Sequence, residues 1–415
     1  MPNGDGWQGE VLRDLRADAQ LDAQAPNGQA DRASAPWSGP SASAHVSAQS
    51  AQGPVAAGGS GGEPGQAAYP YQDPQYERQR VPQGGWPQQA PYPYQEQQAP
   101  GPQPPPQSAP VSRPVVDEAL AGVVRHRPQR GESFTARAVR AVRRTLSSSA
   151  AREVAEATRT AQVLQQPVTT GRQIAVTSIR GGSGKSTVAA LLGTTYAHYR
   201  QDPVLVLEAD PALGSLPQRL GAQALRWTTS DVADIIKPNM TLLDVTGYLV
   251  QLPNNAWLLP ASQGQIGVML DSRAYERAVV ALRRYFGVMV VDCETLPAEV
   301  ARVALASAHG RVLTAPATPE GVTSTYAVLQ WMQKLPRQVT AGTVVVLTEL
   351  MPRAGIDLDE AAQKLRSAGV SVQVLPYDRH LAGGGSVDTA LLAPPTREAA
   401  ARIAADVFQL AQTRH

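Results

Sequence analysis

Cysteine is all but missing from this chain. Cys293 stands alone among 415 residues, so no intramolecular disulfide can form and nothing calls for an oxidising compartment. Long apolar runs are missing as well: no stretch reaches the ~18 to 20 uninterrupted apolar residues of a membrane-spanning helix. The opening MPNGDGWQGEVLRDLRADAQ lacks the basic start and apolar run of a secretory signal. A strong charge of either sign is absent, since a formal net charge of +2 is too small to argue by itself for nucleic acid or membrane. Lysine is almost absent beside arginine, a usage that suits a GC-rich bacterial genome. The expectation is a cytoplasmic protein, with a peripheral place at a membrane or nucleoid left open.

What is present is unevenly distributed. Residues 23–113 are Pro, Gln, Gly, Ala and Ser with scattered aromatics (Tyr69, Tyr71, Tyr76, Trp86, Tyr92, Tyr94). Segments such as PYPYQEQQAPGPQPPPQSAP carry too few aliphatic side chains to offset the entropy of ordering a backbone, which predicts a disordered, partly polyproline tail. It is either a site of weak multivalent contacts with a protein partner or a plain soluble linker. Ahead of it, in residues 1–22, Trp7, Val11, Leu12 and Leu15 fall on one side of a short helix, a pattern that fits a docking peptide and equally a chance spacing. Residues 114–170 read as a basic helical linker. Ser133 to Leu164 has no Pro or Gly, and Phe134, Ala138, Val142 and Leu146 recur every four residues while Arg137, Arg140, Arg143 and Arg144 lie mostly off that stripe. The 134–146 stripe packs on the following domain or meets acidic lipid or DNA phosphate.

From residue 171 to 415 apolar runs alternate with helical stretches. QIAVTSI, PVLVLEAD, AWLLPAS, GVMVVDC, RVLTAPA, TVVVLTEL and VSVQVLPYD read as strands. TVAALLGTTYAHYR, SRAYERAVVALRRYF, GVTSTYAVLQWMQKL, DEAAQKLRSAG and TREAAARIAADVFQLAQ read as helices. Runs this continuous predict an α/β fold, a doubly wound, mostly parallel sheet covered on both faces, with the ligand at the carboxyl ends of the strands.

The first strand leads through SIRGGSGKST into a helix. There the backbone N–H groups of Gly181, Gly182, Ser183, Gly184 and Lys185 converge at the positive end of the helix, where a phosphate belongs. Lys185 is placed to neutralise β- and γ-phosphates, Ser186 to ligate Mg²⁺ and Thr187 to reach the α-phosphate. The ordinary phosphate-loop pattern opens with a glycine, where this chain has Ile179. VMVVDC ends a strand with Asp292, the position of an acid that holds magnesium through water. VLVLEADP supplies Glu208 and Asp210, either of which suits orientation of an attacking water.

These residues resemble the MinD/ParA family of P-loop ATPases. That family's loop reads K-G-G-x-G-K-[ST] without the opening glycine, and its second strand is followed by D-x-D-P, matched here by Glu208-Ala209-Asp210-Pro211. The resemblance runs from about Gln173 to the C-terminus. It implies ATP and Mg²⁺ as cofactors, an ATP-dependent homodimer, Asp210 as the switch acid that positions water, Asp292 as the magnesium acid, and Pro376 and Asp378 in the loop beside adenine. The chain departs from the family at Arg180, in place of the lysine that reaches the partner subunit's phosphates, at Glu208, and at Thr348–Glu349, where an Asn often recognises the purine. A long Pro/Gln-rich tail joined to such a domain also resembles an actinobacterial group, some of whose members accompany type VII secretion systems. The resemblance implies a hydrolytic switch that positions or assembles a cargo, such as a chromosome, plasmid or secretion machine. A non-hydrolysing scaffold that recruits secretion or division proteins through its tail is the other reading.

Overall fold

The computed structural model describes residues 109–116, 129–133, 135, 138, 150–211, 214–265, 268–334, 337–352 and 355–413. The 1–22 docking segment, nearly all of the 23–113 tail and nearly all of the 134–146 basic stripe lie outside these residues.

The described part is built on one eight-stranded sheet. Its strands are β1 Arg172–Ser178, β2 Val204–Ala209, β3 Val250–Leu252, β4 Ala256–Leu259, β5 Val288–Cys293, β6 Gly310–Pro316, β7 Thr343–Thr348 and β8 Ser371–Leu375. They lie in the order β8-β7-β6-β1-β5-β2-β4-β3, and every neighbouring pair is parallel except β3 with β4. The strands expected from the apolar runs are all present. β3 was not anticipated, because three residues at an antiparallel edge, only one of them buried, leave no run to detect.

Strands β1, β2, β5 and β7 are buried at every position, the condition of a parallel sheet covered on both faces. The longer helices are α1 Ala150–Leu164, α2 Lys185–Tyr199, α3 Ser272–Leu282, α4 Glu299–Ser307, α5 Pro319–Met332, α6 Leu358–Arg366 and α7 Pro394–Gln412. Alternate residues of each strand supply the two faces. Ile174, Val176, Val206 and Val290 meet α2 and α7 on one side, and Leu205, Leu207, Val291, Leu313 and Val345 meet α3 to α6 on the other. Helix α4 escapes the sequence reading because EVARVALAS is short and carries no side-chain N-cap, although Val300, Ala301 and Ala304 are buried.

The C-terminal helix α7 packs on the domain through Ile403, Val407, Phe408 and Ala411. The Tyr196 hydroxyl donates to Ala404 O at 2.7 Å, and Arg200 stacks 4.7 Å from the Phe408 ring centroid while pairing with Asp202 at 2.8 Å. Arg200 also donates to Leu164 O, so one buried guanidinium ties α1, α2 and α7 together. Among the described residues no helix is long and apolar enough to cross a membrane.

Because β1 sits between β5 and β6, the chain passes to one side of it first and to the other side later. That switch point, at the carboxyl edge of the sheet, is where an open α/β sheet leaves a crevice.

Candidate functional site

The crevice is present as a cleft of about 480 Å³, in the range of small-molecule binding pockets. One wall is the phosphate loop and the start of α2: Gly182, Gly184, Lys185, Ser186 and Thr187. Opposite lie Asp210, Gly214, Ser215 and Arg219, after β2. The far end is made by Thr348 to Leu350 and by Leu375 to Asp378 with Leu381 and Ala382.

The loop is shaped by its glycines. Gly182 and Gly184 have φ of +76° and +85°, left-handed values that cost an L side chain about 1–2 kcal/mol. Threonines hold the turn from behind. The Ser183 hydroxyl hydrogen-bonds that of Thr314 at 2.9 Å, and the Thr348 hydroxyl donates to Ser183 O at 3.0 Å. Gly184 caps α2, whose first N–H groups lack intrahelical partners by geometry and face the cleft. Substituting Gly184→Ala is expected to cost about 1–2 kcal/mol of stability and to weaken binding of inorganic triphosphate, read by urea denaturation and calorimetry respectively.

Lys185 lines the cleft and its ammonium donates to the Thr295 hydroxyl at 3.0 Å. Thr295, just beyond β5, carries no motif and was not anticipated. Asp292 is fully buried beneath the loop, and neither carboxylate oxygen makes a hydrogen bond of normal geometry. Burial lifts its carboxyl to about 7, the nearby Ser186 hydroxyl and Lys185 ammonium pull it back, and Asp210 pushes it up. Parallel pairing sets Glu208 opposite Asp292. Glu208, 2% exposed, is lifted to about 8 by burial and then by Asp292, with Asp210 adding to the rise, although Ala261 N–H, at 3.2 Å, and Leu216 N–H favour its ionised form. A side chain at Gly214 would collide with the Glu208 carboxylate, so that glycine makes room for it.

The donor set fits a magnesium ion in one respect. Ser186 and the orphaned Asp292 oxygens are hard ligands beside a phosphate cradle. Among the described residues no group of three or more His, Cys, Asp and Glu side chains is assembled to hold a metal. A cation here would therefore take most of its ligands from phosphate and water.

Asp210, Pro376 and Asp378 all line the cleft. Asp378 is committed to backbone: one oxygen accepts from His380 and Leu381 N–H at 2.8 and 3.3 Å, the other from Ala393 N–H at 2.8 Å. It braces the far wall. Arg180 is not brought to the cleft of its own subunit; its guanidinium donates to the Ser324 hydroxyl on α5 at 3.0 Å. Glu349, one of the two residues at the purine-recognition position, also lines the cleft, as do Arg219 and Tyr377, which were not singled out from the sequence.

No family model matches the chain. It is 29% identical over 254 residues to the ESX-1 secretion-associated protein EspI of Mycobacterium tuberculosis, a match that spans 58% of this chain and 37% of EspI. It is 22% identical over 225 residues to an ATP-binding protein of Methanocaldococcus jannaschii, spanning 53% and 79%. With the septum site-determining protein MinD of Synechocystis it shares 32% identity over 123 residues, spanning 29% and 44%. The chain thus spans little more than a third of EspI and less than half of that MinD. The crystal structure of a ParA family ATPase from Chlorobium tepidum overlays with a TM-score of 0.46 and 16% identity, covering 56% of this chain and 98% of that one. The sheet order and the phosphate loop between β1 and α2 make this a doubly wound, mostly parallel α/β fold of the P-loop kind, and in sequence the chain is similar to EspI, to an ATP-binding protein and to a MinD.

Proposed function

We propose that this chain is an ATP-dependent switch: it binds ATP with Mg²⁺, closes as a homodimer, hydrolyses the nucleotide and thereby positions or assembles a partner, in a secretion or partitioning process. The observation that carries this reading is the set Lys185, Ser186, Asp210 and Asp292 gathered around one braced phosphate loop at the switch point of the sheet. Lys185 exchanges its Thr295 hydroxyl for phosphate oxygens and stabilises charge on the transferred group. Asp210, in the cleft lining, orients water, and burial raises the neighbouring Glu208 and Asp292 so that added positive charge favours their ionised forms. Mg²⁺, when bound, would neutralise phosphate charge and bridge its oxygens. Arg180, which its own cleft does not use, is available to a partner subunit's phosphates, as the family's lysine is. The name of the EspI relative supports a secretion-related partner, reached through the N-terminal region.

The position of Arg180 also supports the second reading, a nucleotide-binding scaffold without turnover, because an arginine resting on Ser324 need never enter a catalytic site. Light scattering with simultaneous phosphate release separates the two. For the switch, ATP and Mg²⁺ are expected to double the mass, Asp210→Ala to accumulate the dimer without turnover, and Arg180→Ala to reduce turnover at least tenfold. A native protein that binds ATP, stays monomeric and releases no phosphate overturns the switch and leaves the scaffold.

A further inference from the structure

Two short segments that are not part of the cleft dock beside its walls. Residues 109–116 lie along the stretch that follows Arg219. Arg113 and Pro114 pair antiparallel with Leu225 and Ala224, Val115 N–H donates to Gln223 O at 3.0 Å, and the Val115 side chain packs on the core. Arg226 donates to Pro110 O and Gln263 to Val111 O at 3.2 and 3.3 Å.

Residues 129–133 dock on the opposite wall. Gly131 is buried; its N–H donates to Leu391 O at 2.8 Å and its carbonyl accepts from Arg379 N–H at 3.2 Å. It lies so close to Asp378 and Ala393 that a Cβ there would collide with the Asp378 carboxylate and the Ala393 nitrogen. That carboxylate is the brace of the cleft's far end. The walls also touch each other between these two anchors: Arg219 donates to Leu381 O at 3.1 Å, and Val387 N–H to Arg219 O at 2.7 Å. Movement of either wall is therefore felt at an anchor.

We propose that residues 109–116 and 129–133 act together as a strap, one segment docked beside each of two walls of the nucleotide cleft, so that docking of these segments and occupation of the cleft favour one another. The proposal rests on the nucleotide reading above. Because the strap leads from the N-terminal region, anything that pulls on that region would weaken nucleotide binding, and nucleotide would tighten the strap by the same factor. Coupling of this kind needs no contact between strap and ligand, only walls whose spacing both of them set.

Hydrogen exchange on the full chain tests it, with calorimetric titration of ATP and Mg²⁺ into the native protein, Gly131→Ala and Val115→Asp. The expected result is at least threefold slower exchange across 109–116 and 129–133 on adding ATP, and a three- to tenfold weaker ATP affinity in both variants. Exchange that ATP leaves unchanged, with affinities within twofold of native, overturns the strap while the nucleotide reading stands. A native protein that binds no ATP overturns both. The exchange measurement needs no variant, so a substitution that impairs folding does not remove the test.

Discussion

Lys185→Ala is expected to lower ATP affinity at least a hundredfold while leaving the apo fold almost unchanged. In the absence of nucleotide the ammonium makes one hydrogen bond, to the half-buried Thr295 hydroxyl, and losing it costs about 1 kcal/mol or less. Against phosphate the same group would make charge-assisted contacts inside a cleft shielded by Thr348, Pro376 and Tyr377, where such contacts are worth roughly 3 kcal/mol, the hundredfold expected. The two effects separate cleanly in a thermal melt. Native protein should gain several degrees of Tm at saturating ATP and Mg²⁺, and the variant none, because stabilisation by a ligand scales with the logarithm of its concentration over Kd. A variant that melts with the native shift would remove Lys185 from the site.

The second large effect is a pH dependence that Glu208→Gln should roughly halve. Glu208 and Asp292 stand side by side across β2 and β5, both buried. Burial raises Glu208 to about 8, with Asp292 adding to it, and raises Asp292 to about 7. In the unfolded chain each carboxyl returns to its ordinary value near 4, so the folded state holds protons that the unfolded state has released. Stability is then fully present below about pH 4, falls above that, and is lost as pH rises through the folded values. Without nucleotide, urea denaturation at pH 5 and pH 8 should differ by a few kcal/mol, the native protein being weaker at pH 8. Glu208→Gln cannot ionise and keeps an oxygen for Ala261 N–H, so it should flatten about half of the profile, the rest staying with Asp292, and melt above native at pH 8. Saturation with ATP and Mg²⁺ should flatten it too, since positive charge beside Asp292 favours the ionised forms. A native profile that is level, or a Gln variant that follows it, would show that the pair does not hold these protons.

How much of this was legible before the fold was known follows from the range of each interaction. The run VMVVDC announces a buried strand ending in an acid because apolar continuity is local, and SIRGGSGKST announces a phosphate loop because the glycines answer a local demand for left-handed backbone at Gly182 and Gly184. Asp378 was legible as a wall residue but not as a brace, since its partners Ala393 and Gly131 are distant in sequence. Arg180 could be recognised as the counterpart of a signature lysine, yet its rest position on Ser324 depends on how α5 packs beside the loop. Strand β3 and helix α4 were missed because each is too short for periodicity to stand out, and contacts with the rest of the domain hold them.

The amino-acid sequence alone determined the class of fold and the chemistry of the loop, because strand and helix patterns and glycine-dependent turns are decided over a few neighbouring residues. Tertiary structure decided which groups meet. Strands β2 and β5 are not consecutive, and only the packing of both sheet faces puts them in the register that sets Glu208 against Asp292, turns Lys185 to Thr295, and docks residues 109–116 and 129–133 beside the cleft. Burial and long-range register set those proton affinities and contacts, and neither is encoded in any short stretch of chain.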